Sequence, residues 1–334
     1  MAPDYVQIYL IESQPLTLID TGTRTPESRA VLASALEEFG IELADIERVI
    51  VTHGHRDHMG LVQSMRDAGA DLECLVHEGD APVVEDFFDE VRRRVIDATP
   101  LFREHGVPEE ILERLESTGL DMLGRDQVEA EPTHVDRVLR DGDRIGWKNF
   151  SLDVRHSAGH TPGHILLEEE SIGLLLTGDQ VMGQAIPYAE NFYQSDLPDP
   201  ADPLRRRVRF RGLVELRKSL RRLRGRPYTT LLPAYGGIVR RPERAIRDTL
   251  LHYEVRIQRI DRGLRHLAAM GQDVTAFEVW QALFSVSSGN PTETPTSEMR
   301  SQLLMLIGAL DCLEEDGNLI TERRPDGILT HHHR

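Results

Sequence analysis

Three histidines and an aspartate stand within six residues in Thr52-His53-Gly54-His55-Arg56-Asp57-His58. Neutral imidazole nitrogens and carboxylate oxygens are the ligands a zinc-like divalent ion takes, at roughly 2.0–2.2 Å. The preceding residues 46–51 are apolar and Leu61-Val62 follow, so the stretch reads as a buried strand that ends in a polar loop and opens a helix. Side chains alternate along an extended segment, so His53 and His55 point to one side. Asp57 and His58 fall where the chain turns and face a second point nearby. The pattern suggests two neighbouring metal positions, and a metal held this way activates water for hydrolysis.

Other strand ends carry the same kind of residue. His160 stands in Gly159-His160-Thr161-Pro162-Gly163-His164, Asp179 in Thr177-Gly178-Asp179, and Tyr235 in Pro233-Ala234-Tyr235-Gly236-Gly237. Asp20 closes an early apolar strand; it either holds a metal-bound imidazole in its tautomer or is a turn aspartate. Asp57 is the candidate for orienting or deprotonating the attacking water, and His164 for supporting the ligands. Loops at strand ends are where layered α/β scaffolds place active sites.

The elements that must position these residues follow from the hydropathy pattern. Strands are expected at 6–11 and 16–19, then a helix over 26–39 with Ala30, Val31, Ala35 and Phe39 as its apolar residues and a stop at Gly40. Further strands fall at 72–77, 138–145, 150–155, 172–177 and 229–232, with a short helix to residue 68, which implies an α/β layered domain. Residues 81–130 interrupt the rhythm. Val83, Val84, Phe87, Phe88, Val91 and Val95, then Ile111, Leu112 and Leu115, fall at helical spacing, so two or three inserted amphipathic helices are expected. Such helices either pack on the body of the protein or form a lid that shapes an apolar pocket over the metal loop.

Composition narrows the function. A chain of 334 residues with 40% hydrophobic residues can bury a sizeable core, in two domains, and no apolar run is long enough for a membrane span. A formal net charge of −17 argues against general affinity for nucleic acid. Cys74 and Cys312 rule out a disulfide framework, and with no secretory pattern at the N-terminus the expected location is the reducing cytoplasm. His331, His332 and His333 read as a tag remnant and are set apart from the metal argument. Between Arg205 and Arg226 lie ten arginines and Lys218 against the single acid Glu215, alternatively a solvated helix face or an anionic handle. In the second case Arg221, Arg222 and Arg224 would bind the phosphate of coenzyme A or an acyl carrier, or an RNA backbone.

Taken together these motifs resemble the metallo-β-lactamase superfamily. His53-x-His55-x-Asp57-His58, Leu18-Ile19-Asp20-Thr21-Gly22, Gly159-His160-Thr161-Pro162-Gly163-His164 and Leu176-Thr177-Gly178-Asp179 match its ligand segments over about residues 5–240. The resemblance implies an αββα sandwich over 1–240, with the helical insertion near 81–130. It implies one metal on His53, His55 and His160, and a second on Asp57 and His58, with Asp179 bridging. Zinc is the implied ion, one or two per chain, with iron or manganese as alternatives. Residues 241–334 resemble the small winged-helix domain appended to one hydrolase branch. There, helical periodicity over 246–270 precedes a Ser/Gly/Pro/Thr-rich loop at 285–297, a helix over 303–313 and the start of a hairpin at Gly317. A structural or dimerising role is expected for it rather than DNA binding.

One position departs from the family. Its final ligand histidine is replaced here by Tyr235, a phenol with an ordinary pKa near 10. The second metal is then lost or weakened, or Tyr235 ligates as phenolate, or its hydroxyl donates to a developing oxyanion. The expected activity is hydrolysis of an acyl thioester or ester, of the acyl-CoA or carrier-linked kind. The alternatives are an endoribonuclease, a mononuclear non-haem iron oxygenase built on His53, His160 and Asp179, and an inactive binding module.

Overall fold

The alternation of short β-branched runs with amphipathic stretches produces the expected strand–helix order. The computed structural model describes residues 5–183, 185–270, 274–284 and 294–334, the side chains of 126 and 127 aside. From the N-terminus come β1 (Tyr9–Ile11), β2 (Thr17–Ile19), α1 (Pro26–Glu37), β3 (Arg48–Ile50), α2 (Arg56–Met59), α3 (Val62–Asp67) and β4 (Glu73–His77). The inserted segment holds α4 (Ala81–Glu85), α5 (Phe87–Glu104) and α6 (Glu109–Glu129). Strands β5 (Arg137–Leu139), β6 (Arg144–Gly146), β7 (Ser151–His156), β8 (Ile165–Glu169) and β9 (Leu174–Gly178) follow. Then come β10 (Asn191–Pro198), β11 (Arg207–Arg211), α7 (Gly212–Leu223), β12 (Thr230–Pro233) and α8 (Pro242–Ala268). The chain continues with α9 (Ala276–Phe284), α10 (Thr296–Glu315), β13 (Leu319–Arg323) and β14 (Leu329–His333).

The described residues group into two compact units, each assembled from three stretches of chain. The first comprises 1–91, 124–188 and 219–249; the second comprises 92–123, 189–218 and 250–334. A single cut near 240 marks a change in sequence character, whereas packing draws parts of the insertion and of the arginine run into the second unit.

In the first unit, one sheet runs β1-β2-β3-β4-β5 and the other β12-β9-β8-β7-β6. The strands from β2 to β5 pair in parallel and β1 is antiparallel to β2. In the other sheet, only β12 with β9 is parallel. Period-two alternation decides which residues meet. Ile19, Ile50, Leu75 and Leu139 form one core cluster with Leu152, Val154, Ile165, Leu167 and Leu176 of the second sheet. Their sequence neighbours Leu18, Val49, Cys74 and Val76 face the other way and cluster with Leu32, Leu36, Met65 and Val83 from the helices. The outcome is an α/β layering of two mixed sheets and helices.

Helix α1 begins as its sequence dictates, with Pro26 in the first turn and Thr25 Oγ1 accepting the Ser28 N–H. Its buried stripe differs from the expected one. Leu32 and Leu36, four apart, face the core, while Val31 and Phe39 are exposed. Two leucines one turn apart bury enough area to set the helix's rotation, and alanine-rich neighbours offer no competing face.

In the second unit, the arginine run is not a uniformly solvated helix face. It forms β11 and part of α7, and most of its acids come from distant sequence. Arg206 pairs with Asp202 at 2.5 Å and Glu314 at 3.0 Å, Arg209 with Asp311 at 2.5 Å, and Arg217 with Glu254 at 3.1 Å and Asp316 at 2.9 Å. Reading Glu215 as the only opposing acid counted sequence neighbours rather than spatial ones. The tag reading of the last histidines is also corrected. His331–His333 belong to β14, paired with β13, and His331 is 2% exposed and stacked on His105. Of the expected loop at 285–297, residues 285–293 lie outside the described residues.

Candidate metal centre

The first unit brings His53, His55 and His160 to one point. His53 Nε2 lies 3.1 Å from His55 Nδ1, His160 Nε2 lies 3.1 Å from His53 Nε2, and His160 Nε2 lies 3.0 Å from His55 Nδ1. Three ring nitrogens that converge pairwise cannot all satisfy one another as donors and acceptors. An ion with bonds near 2.0–2.1 Å holds tetrahedral ligands about 3.3 Å apart, so the spacing suits ligands of a single ion. A second group, His53, His58 and Asp179, adjoins it. Asp179 lies between the two, Oδ1 at 3.5 Å from His58 Nε2 and Oδ2 at 3.4 Å from His160 Nε2. His58 Nε2 and Asp179 Oδ1 are buried with no hydrogen-bond partner. Buried polar atoms are almost always paired, so the two orphaned atoms fit a cation between them.

Neighbouring groups set each ring's tautomer. His58 Nδ1 donates to Asp20 Oδ2 at 2.8 Å, leaving Nε2 with its lone pair inward. His160 Nδ1 donates to the Tyr188 carbonyl at 2.7 Å with the same effect. Asp20, expected as either a supporting or a turn residue, sits in the left-handed region at φ 62° and also accepts from Thr52 N and Oγ1, each at 2.8 Å. His164 is buried, and its Nε2 accepts the Asp179 N–H at 3.1 Å, so it orients the backbone of that aspartate.

Asp57 and Tyr235 meet each other rather than joining either histidine group. The Tyr235 hydroxyl donates to Asp57 Oδ2, which also lies 3.7 Å from His58 Nε2. Burial would raise the Asp57 carboxyl, but His58, His55 and the Tyr235 hydroxyl outweigh it and bring it to about 2. Burial, then Asp57 and Asp179, push the Tyr235 phenol far above its usual range. Burial opposes a charge on His58, yet Asp20, Asp57 and Asp179 together raise it to about 10. The three carboxylates thus favour a cation at this spot, whether a proton or a metal ion. Asp179, desolvated and beside Asp57, is raised to about 7. His53 is held well below its ordinary value, first by burial and then by the other rings.

Arg221, Arg222 and Arg224 are exposed on and after α7. Asp80 is a residue the sequence reading passed over. It is fully buried and accepts from Gly54 N, Thr161 Oγ1 and Gly163 N. The available signal was position, since Asp80 lies just past the end of an apolar strand, as Asp20 and Asp179 do.

A sequence profile described as the Metallo-beta-lactamase superfamily matches residues 1–235. The probable metallo-hydrolase YqjP of Bacillus subtilis is 29% identical over 284 residues, 84% of this chain and 80% of that protein. A hydroxyacylglutathione hydrolase of Aeromonas salmonicida is 48% identical over 48 residues, 14% of this chain and 18% of that enzyme. Among solved structures, the metallo-beta-lactamase family protein TTHA1429 of Thermus thermophilus superposes with a TM-score of 0.72 at 22% identity, over 98% of this chain and 94% of that one, a likeness of fold.

Proposed function

From the premise that this chain belongs to the metallo-beta-lactamase superfamily, we propose that it is a metal-dependent hydrolase of acyl thioesters or esters. The observation that carries the reading is the convergence of His53, His55 and His160, with His58 and Asp179 orphaned beside them. His53, His55 and His160 would hold one divalent ion, and His58 and Asp179 a second, zinc being the ion this donor set suits. Such an ion, when bound, supplies Lewis-acid polarisation of the carbonyl and activation of water. Asp57, ionised throughout the neutral range, orients the attacking water and takes its proton at Oδ1 or Oδ2. Tyr235, donating to Oδ2, fixes the rotamer from which it does so. Asp20 and the Tyr188 carbonyl keep His58 and His160 in the tautomers that present Nε2.

A thioester is favoured as substrate by the short, close match to an enzyme named for cleaving hydroxyacylglutathione, itself a thioester. Arg221, Arg222 and Arg224 would contribute an anionic carrier handle. The run α9, α10, β13 and β14 is read as a winged-helix-like module with a structural or dimerising role. The test is a panel of acyl thioesters, lactones and single-stranded RNA given to zinc-loaded and chelator-stripped protein. Thioester cleavage that disappears on stripping and returns with zinc is expected. RNA cleavage with inert thioesters overturns the substrate, and activity indifferent to metal overturns the class. Reversing Arg221, Arg222 and Arg224 to Glu should raise KM several-fold for a phosphate-bearing thioester and leave kcat unchanged.

A further inference from the structure

We infer that Asp80 is a positioning residue that fixes the separation of the two loops carrying the ligands of the first metal site. Gly54 lies between His53 and His55, and Thr161 and Gly163 stand one and three residues after His160. Asp80 Oδ2 accepts from Gly54 N at 2.9 Å and from Thr161 Oγ1 at 2.6 Å, while Oδ1 accepts from Gly163 N at 2.7 Å. One carboxylate therefore ties together backbone 26 residues away on one side and 83 on the other.

Three features make this more than a buried aspartate satisfying itself. First, Asp80 occupies the N-cap position of α4, where an aspartate ordinarily accepts an N–H of the helix's first turn, yet it makes no side-chain cap bond there. The side chain is turned away from its local role and towards the ligand loops. Second, the His160 loop closes on it so tightly that a side chain is excluded: a Cβ on Gly163 would stand 2.3 Å from Asp80 N and 2.7 Å from Asp80 Cγ. Third, every one of the three partners is a donor. An acceptor-only carboxylate answers all of them, whereas an amide of the same shape presents NH2 to at least one. Loss of such a supporting contact behind metal ligands weakens metal binding 10–100-fold in general.

The inference rests on the metal-centre reading, and the test separates the two. Zinc affinity is measured by calorimetric titration of the full chain, and the cobalt-substituted protein's visible absorption reports ligand geometry. The proteins are wild type, Asp80→Asn, Thr161→Val and the remote core variant Leu36→Ala, each with its apo melting temperature. Asp80→Asn is expected to raise Kd for the tighter ion at least 10-fold and to alter the cobalt bands. Thr161→Val, which removes one bond of the three and spares the fold, is expected to raise it about threefold. Leu36→Ala is expected to lower the melting temperature and leave Kd and spectrum alone. Wild-type Kd and cobalt bands in Asp80→Asn overturn the inference, as does an equal weakening in Leu36→Ala at equal loss of melting temperature. Should Asp80→Asn fail to fold, wild-type Kd in Thr161→Val overturns it. Absence of metal binding by the wild type overturns the metal centre and this inference with it.

Discussion

Among the described residues, two groups of buried histidines, one in each compact unit, have opposite surroundings. In the first unit, His53, His58 and His160 lie among Asp20, Asp57 and Asp179, and His58 is raised to about 10 by those carboxylates against its burial. In the second, His105 and His331 stack with ring centroids 5.6 Å apart, and burial, reinforced by Arg206 and Arg209, pushes both below the ordinary histidine value. Orphaned ring nitrogens occur in both, His58 Nε2 in one and His105 Nδ1 and His331 Nε2 in the other. Clustering and burial alone therefore do not mark a cation site. What separates the two is the sign of the charge around the rings, which in one favours a positive ion and in the other repels it.

The comparison can be broken most directly at its strongest point. His160→Ala should lose bound zinc and reduce hydrolysis on the order of 10³-fold, roughly 4 kcal/mol of barrier. His331→Ala should keep its zinc; loss of metal there, by elemental analysis, would erase the distinction. Removing one of the carboxylates sharpens it. Asp57→Asn should lower kcat on the order of 10²-fold, as loss of a general base does, with an unchanged circular dichroism spectrum.

The opposite shifts of His58 and His331 give a pH test. His331 is held near 3 in the folded chain against about 6.5 unfolded, so below pH 6.5 the unfolded state binds the proton first. Its contribution is full above about pH 7 and is lost as pH falls towards 3, about 2 kcal/mol by pH 5. Denaturant titrations at pH 7.5 and 5 should show that loss in the wild type and less of it in His331→Phe. The smallest effect is expected at Tyr235→Phe, which removes the donor to Asp57. A fall in kcat of about fivefold, near 1 kcal/mol, with unchanged zinc content is expected; zinc loss would make Tyr235 a ligand.

Most of the first unit's strands and the ligand loops were legible because both are local, whereas β8 was not anticipated. An apolar run ending in His-x-His-x-Asp-His, or in Thr177-Gly178-Asp179, announces a strand end and its chemistry within ten residues. Long-range partners were not legible. The arginines of β11 and α7 looked unopposed because Asp311, Glu314 and Asp316 lie about a hundred residues on, brought back by α10. Tyr235 was read as a departure from the resemblance, and nothing near it in sequence tells that its hydroxyl faces Asp57, 178 residues away. His331 was misread for a related reason: consecutive histidines resemble an appended tag until a partner strand and His105 are seen to cover them.

The bonds of Asp20 to Thr52 and His58 have a thermodynamic consequence. With Thr52 held through both N and Oγ1, and His58 through Nδ1, the first ligand loop takes its shape from the sheet during folding. Ion capture by such a preorganised loop orders little chain and buries little apolar surface. Its enthalpy should therefore vary little with temperature, a heat-capacity change near zero, in contrast to small metal domains that fold only on binding.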